Sequence, residues 1–258
     1  MKTKLTISCI GAGNIAWHLC GGLSASYTFK QIFSRDIDHA RQLSLSINAL
    51  PIADLSLLDL DVDFILVAVP DGAISDVLAI IPSNYAGIIM HCSGSTEMLV
   101  LDKFNQFGVC YPLQTFSKQK EVALNQVPFF VEANTTTALN AISNIAKSLS
   151  PNVQEYSSTQ RIKLHIAAVI ACNFSNYMFD WAQQLVASPE VFQHLLPLIE
   201  ETVQKVGQMD PKLAQTGPAK RKDLNTISKH ISQLNDMQQK QAYQLISDMI
   251  QNRHAKEL

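Results

Sequence analysis

The 258-residue chain is 47% hydrophobic and carries 20 basic against 22 acidic residues, a formal net charge of -2 at pH 7. That length holds one large domain or two modest ones around a packed core, and charges spread without long runs offer no electrostatic footprint for nucleic acid or an anionic membrane. The expected partner is a small molecule. No apolar run approaches the roughly 20 residues that span a bilayer, and the N-terminal Met-Lys-Thr-Lys-Leu-Thr-Ile enters an apolar strand without a signal-peptide core. Five cysteines without a C-x-x-C pair suit reduced, buried thiols, so the expected compartment is the cytoplasm and no structural zinc or other metal is expected.

Short β-branched apolar runs alternate with amphipathic stretches through the first half, the pattern of βαβ units and a mostly parallel sheet. Strands are expected near residues 4–10, 28–33, 62–69, 86–91, 107–111, 127–132 and 153–156. Helices are expected over 13–25, 36–46, 71–80, 95–104 and 135–149, with Asp36 and Asp71 placed to start two of them. From about Ser157 glycine becomes rare and apolar residues recur at three- and four-residue intervals, giving helices near 158–187, 190–207, 223–234 and 236–254 and a loop from Met209 to Pro218. The fold class is therefore α/β, a Rossmann-type mostly parallel sheet over residues 1–156 followed by an all-helical C-terminal domain over 157–258.

Leu5 to Ala16 reads as an apolar strand, then G-x-G-x-x-A, then the start of a helix. Gly11 permits the tight turn, Gly13 lets the backbone approach a pyrophosphate, and Ala16 lets helix and strand pack closely. Ala12 lies inside the turn, and the helix start at Asn14 and Ile15 offers free N–H groups and a positive dipole end to phosphate. Where NAD-selective folds place an acidic residue, at the end of the second strand, this chain reads Phe33-Ser34-Arg35-Asp36. A hydroxyl and a guanidinium hold a ribose 2′-phosphate that a carboxylate would repel, so Ser34 and Arg35 point to NADP(H). The competing reading has Asp36 on the ribose and Arg35 as a solvated surface residue. Val69 and Pro70 end the fourth βα element, either along the nicotinamide half of the cofactor or simply as a proline opening a helix.

These residues, together with Val69-Pro70-Asp71, His91-Cys92-Ser93-Gly94-Ser95, Tyr111 to Phe116, His165 to Asn173 and Thr216 to Asp223, cover nearly the whole chain. They resemble a family of Rossmann-plus-helical-domain NADP oxidoreductases. It is related to the 6-phosphogluconate dehydrogenase, 3-hydroxyisobutyrate dehydrogenase and pyrroline-5-carboxylate reductase superfamily. The resemblance implies a Rossmann domain, a helical domain that often supports a homodimer, and a site in the cleft between them, without supplying a substrate; the expected reaction is hydride transfer between nicotinamide and a C=O or C=N group of a small, carboxylated molecule.

In those relatives a Ser-x-Gly loop holds the substrate, the role the resemblance gives Ser93 and Gly94. His91 ends a strand beside them and is a candidate proton donor, the alternative being a histidine that fixes the loop. His165 and Asn173 share one face of the long helix, and are read either as lining the site or as helix–helix hydrogen bonding. The relatives' catalytic lysine, one turn before the asparagine, is replaced here by Val169. That departure keeps open a non-catalytic NADP(H)-binding sensor or interaction protein as the rival to an enzyme, with a deazaflavin-dependent reductase as a third reading. Gln114, Thr115 and Phe116 are expected at the rim of the site. Arg221 and Asp223 follow Thr216-Gly217-Pro218 in what reads as a loop cap or a substrate contact. His18, His39, His194, His230 and His254 form no cluster and read as surface or packing residues.

Overall fold

The computed structural model describes residues 4–255, so Met1, Lys2 and Thr3 of the leading segment and the last three residues of the helical half lie outside the described residues. Two compact units divide the chain, Met1–Tyr177 and Met178–Leu258.

The first unit runs in the order Thr6–Ile10 (β1), Asn14–Leu23 (α1), Thr28–Phe33 (β2), Ile37–Ile47 (α2), Leu50–Ile52 (β3), Phe64–Val67 (β4) and Ile74–Ile80 (α3). It continues with Ile88–His91 (β5), Phe107–Pro112 (β6), Phe129–Ala133 (β7), Thr136–Lys147 (α4), Val153–Glu155 (β8) and Ser158–Ala168 (α5). One eight-stranded sheet has the order β3-β2-β1-β4-β5-β6-β7-β8. Every neighbouring pair is parallel except β6 with β7. Central strands of such a sheet are covered on both faces and read as continuous apolar runs, as Phe64-Ile65-Leu66-Val67 does with all four residues buried. On one face α1 brings Ala16, Leu19, Cys20 and Leu23, spaced as one helical stripe, against Ile7, Leu66, Met90 and Phe129. The other face holds Ile10, Ile65, Ile89, Ile74, Val77 and Leu101. The chain leaves β1 to one side for β2 and β3 and returns to the other side for β4. This creates a switch point beyond the carboxyl end of β1, where open α/β sheets bind ligands.

Two expectations fail locally in the first unit, and one strand went unread. Residues 95–104 form no α-helix: Ser93, Ser95 and Thr96 turn around one hydroxyl, and only a short 3₁₀ turn, Met98–Leu101, follows. Asp71 does not cap a helix, because its carboxylate accepts from Ser95 Oγ and α3 starts three residues later. The strand β3 went unread because it is three residues long, contains Pro51 and lies at the sheet edge. Asp36 does start α2, accepting from the Asp38 N–H at 2.9 Å.

The second unit is helical. A π-helical turn, Val169–Phe174, precedes Ser175–Val186 (α6), and the division between the units falls inside α6. Then come Pro189–Gln193 (α7), Leu196–Gln208 (α8), Pro211–Ala214 (α9), Leu224–Gln233 (α10) and Met237–His254 (α11). The helix expected over 190–207 is interrupted at His194–Leu195, ahead of Pro197, and the expected loop contains α9, started by Asp210. Asp223 caps α10, accepting from Thr226 N and Thr226 Oγ1, and these bonds hold its carboxyl below the usual range. No described helix is long and apolar enough to cross a membrane.

Ile65 is fully buried and Leu45 is 85% exposed. Urea denaturation should show Ile65→Ala losing about 2–5 kcal/mol and Leu45→Ala staying within about 0.5 kcal/mol of the parent.

Candidate functional site

A cavity of about 890 Å³ opens at the switch point of the first unit. Its floor is the glycine turn. Gly11 has a φ of +122°, and a Cβ there would stand 2.2 Å from the Ala68 carbonyl oxygen, so only glycine lets the turn press against the end of β4. Two backbone bonds of 2.8 Å lock it, Gly11 N–H to Phe33 O and Ala68 N–H to Ile10 O. Gly13 is different: nothing lies within 4 Å of where its Cβ would be, and no side chain caps the start of α1. The first N–H groups of α1 therefore remain for an anion.

Of the nine residues expected to bind the cofactor, Gly11, Ala12, Gly13, Asn14, Ser34, Arg35, Val69 and Pro70 line this cavity. Ile15 does not line it: its side chain packs on the core beneath α1, leaving its backbone as what it offers the site. Arg35 is exposed at the end of β2, and Ser34 Oγ accepts from the Asp36 N–H at 3.3 Å. The Asp36 carboxylate itself caps α2. Sequence reading missed the opposite wall, Ala53, Asp54, Leu55 and Ser56, which belongs to the unread β3 segment. It also set aside His39, which stands in the cavity wall on α2, and passed over Lys118. The donor set, an uncapped helix start at one end and a hydroxyl with a guanidinium at the other, fits a dinucleotide carrying an extra phosphate.

Beyond the Pro70 wall lies a second polar cluster. Ser95, whose hydroxyl donates to the Asp71 carboxylate, ties the loop after β5 to the segment that closes the cavity. His91 is fully buried at the end of β5, and its Nδ1 accepts from the Ser93 N–H at 3.1 Å. Burial, reinforced by the nearby Arg161 guanidinium, lowers its pKa from 6.5 to about 4. Nδ1 thus holds the Ser93 backbone, while the buried Nε2 has no hydrogen-bond partner among the described residues. Ser93 is equally engaged: its hydroxyl donates to Thr96 Oγ1 and accepts from the Ser95 and Thr96 N–H groups. Gly94 is pressed so close that a Cβ would stand 2.4 Å from His165 Nδ1 and 2.8 Å from Tyr111 Cζ. His165 Nδ1 and Tyr111 Oη are 2.9 Å apart. Burial pushes the Tyr111 hydroxyl up to about 12.

Asn173 is exposed and sits in the π-helical turn, whose wider coil invalidates the α-helical face count that paired it with His165. Gln114 Oε1 accepts from the Thr115 N–H, and Phe116 O accepts from Asn14 Nδ2 at 3.0 Å, so this segment is held against α1.

Arg161, which sequence reading missed, organises the loop. It is fully buried, and Nη1 donates to the carbonyls of Ser93 (2.9 Å), Gly94 (3.3 Å) and Thr96 (2.8 Å). Its Nη2 donates to Ser158 Oγ at 2.9 Å and Glu132 Oε2 at 3.3 Å. The available signal was its place four residues before His165, one turn away on the same helix.

A Rossmann-type sheet with a glycine turn pressed on β4 and a phosphate-ready cavity defines the class: a dinucleotide-binding α/β fold with a helical C-terminal region. The family model described as "Domain of unknown function (DUF2520)" matches residues 127–250. A solved protein of Bacteroides fragilis, described as a "putative NADP oxidoreductase", is 35% identical, with a TM-score of 0.89 over 96% of this chain and 98% of that one. The chain belongs to the family of that protein. A Thermotoga maritima protein (21% identity, TM-score 0.78, covering 96% and 99% of the two chains) shares the fold. So does a reductive aminase from Aspergillus terreus solved with NADPH and ethyl-5-oxohexanoate (12%, 0.73, 99% and 95%). No curated protein matches the chain by sequence.

Two outcomes follow for stability. Arg161→Leu leaves three carbonyls without their donor and the Glu132 carboxylate with only the Ser158 hydroxyl, and should cost about 3–5 kcal/mol in chemical denaturation. Because the folded pKa of His91 lies below the unfolded one, the unfolded chain binds the extra proton between pH 6.5 and about 4. Its contribution is complete above pH 6.5 and is lost as pH falls, by up to about 1.4 kcal/mol per pH unit. His91→Gln should show a correspondingly flatter fall in stability over that range when both proteins are unfolded in urea at a series of pH values.

Proposed function

We propose that the chain is an NADP(H)-dependent oxidoreductase acting on a C=O or C=N group of a small molecule. The observation that carries this reading is the single cavity that joins the Gly11–Asn14 turn to Ser34 and Arg35, placing a cation where NAD-selective folds place a carboxylate. The 35% identical relative described as an NADP oxidoreductase supports it. Gly13 and the first N–H groups of α1 hold the pyrophosphate, Ser34 and Arg35 the 2′-phosphate, and Val69 and Pro70 flank the nicotinamide half. When bound, NADP(H) gives or takes a hydride at its nicotinamide.

The chain's own contribution is orientation and a proton. Tyr111, with its pKa near 12, keeps its proton and donates to His165 Nδ1, which assigns the ring proton to Nε2. His165 Nε2–H is then the donor to the oxygen or nitrogen of the reduced group, its Nδ1 taking the Tyr111 proton in the same step so that the ring stays neutral, and solvent reprotonates Tyr111. Gly94 lets the loop lie against both rings, while His91, Ser93 and Arg161 hold that loop in place. Asn173 belongs to the substrate side of the site, on a π-helical turn of the kind that recurs at functional sites. Resemblance to hydroxy-acid and imino-acid dehydrogenases favours a carboxylated substrate.

Residues 157–258 serve substrate binding and homodimer formation in this reading, supported by the exposed Ile166, Ile170, Phe174 and Tyr177 along the long helical segment. The cytoplasm, with its reduced thiols, is the matching compartment.

NADPH oxidation with a panel of keto acids, aldehydes and imines tests the reading. At least one compound should be turned over, and His165→Ala and Gly94→Ala should each lower turnover about 10²–10⁴-fold while NADPH still binds. Unchanged turnover in His165→Ala would remove the proposed donor. Binding of NADPH without turnover of any compound would favour a sensor instead.

A further inference from the structure

Lys118 stands in the wall of the cavity, half-buried, about a hundred positions from the glycine turn in sequence. A half-buried lysine holds its charge against an anion or the face of an aromatic ring. Among the described residues no carboxylate lies within ion-pair distance of it. Its ammonium rests instead 5.5 Å from the centre of the Trp17 ring, on α1. A cation free of carboxylates, at the edge of a cavity floored by an uncapped helix start, faces a place suited to negative charge.

The segment that carries it is anchored rather than loose. Asn14 Nδ2 donates to the Phe116 carbonyl at 3.0 Å, His18 Nε2 bonds the Ser117 carbonyl at 2.9 Å, and the His18 and Phe116 rings pack 5.0 Å apart. Both anchors are on the first two turns of α1, so the backbone leading into Lys118 is fixed at the Gly13 end of the cavity. Arg35 and His39 lie at the other end, on the β2–α2 side. Lys118 and Arg35 thus stand at separate ends of the cavity, matching two separate phosphate positions of one dinucleotide.

On the NADP(H) reading above, we infer that Lys118 is a pyrophosphate-binding residue, delivered to the glycine turn by the strap that follows β6. Arg35 is left to read the 2′-phosphate. Lys118 thereby strengthens affinity for dinucleotides as a class and takes no part in choosing between NADPH and NADH.

The test is a binding measurement on the full chain with three probes: NADPH, ADP, which has the pyrophosphate without a 2′-phosphate, and 2′-AMP, which has the reverse. Lys118→Ala should weaken NADPH and ADP about tenfold each and leave 2′-AMP unchanged, as expected for loss of one charge-assisted contact. Lys118→Arg should restore most of the affinity. Arg35→Ala should do the opposite, weakening NADPH and 2′-AMP but not ADP. Unchanged ADP affinity in Lys118→Ala, or a loss confined to NADPH and 2′-AMP, would overturn the inference while leaving the cofactor reading intact. A parent protein that binds NADPH no better than buffer controls would overturn that reading and this inference with it.

Discussion

The backbone of Gly11 lies against the carbonyl of Ala68, at a distance no Cβ could tolerate, and the rest of the site depends on that approach. It brings the end of β1 into register with the ends of β2 and β4 through two backbone hydrogen bonds. It also aims the first turn of α1 along the open edge of the sheet. A larger residue would force the turn away from β4 and widen the gap that Val69 and Pro70 wall. The left-handed φ at Gly11 adds a second reason for glycine, since an L side chain is disfavoured there even with space available. Gly13 plays the contrasting part: space rather than contact surrounds it, the space the proposed function gives to a phosphate.

A second constraint governs the far side of Pro70. Buried Arg161 gathers three carbonyls of one loop with a single nitrogen and anchors itself on Glu132 and Ser158 with the other. A planar guanidinium does this with little freedom left to lose, which a lysine could not reproduce. The loop so held presses Gly94 onto the Tyr111–His165 pair. Polar groups are thus divided by burial: the Ser93 hydroxyl is consumed in shaping the loop and His91 is fully buried with Nδ1 on the Ser93 N–H, while His165 is only half-buried beside Tyr111. Two histidines that look alike in sequence thus sit in different surroundings.

What was legible in the sequence was whatever depends on local spacing. The glycine turn, the alternating strands, the Ser34–Arg35 substitution and the helical second half all follow from residues within a few positions of one another. Eight of the nine cofactor residues read from these patterns line one cavity. What escaped depends on contacts between distant segments or on small departures from regular geometry. Lys118 enters the cavity wall from the segment after β6, Arg161 joins three separate segments, and the Ala53–Ser56 wall follows a three-residue strand. The π-helical turn at Val169–Phe174 leaves no mark in a periodicity count, so the face that paired His165 with Asn173 could not be drawn correctly from the sequence. The helix read over residues 95–104 was lost to the Ser93 hydroxyl, which takes the Ser95 and Thr96 N–H groups in competition with helical backbone bonds.

In the proposed function one cavity reads a dinucleotide through its glycine turn and its extra phosphate through Ser34 and Arg35. Calorimetric titration of the unaltered protein with NADPH and, separately, with NADH tests it most directly. One site per chain is expected, with NADPH tighter by roughly tenfold or more, the scale of charge-assisted hydrogen bonds to one phosphate. Equal affinities, or tighter binding of NADH, would contradict the account.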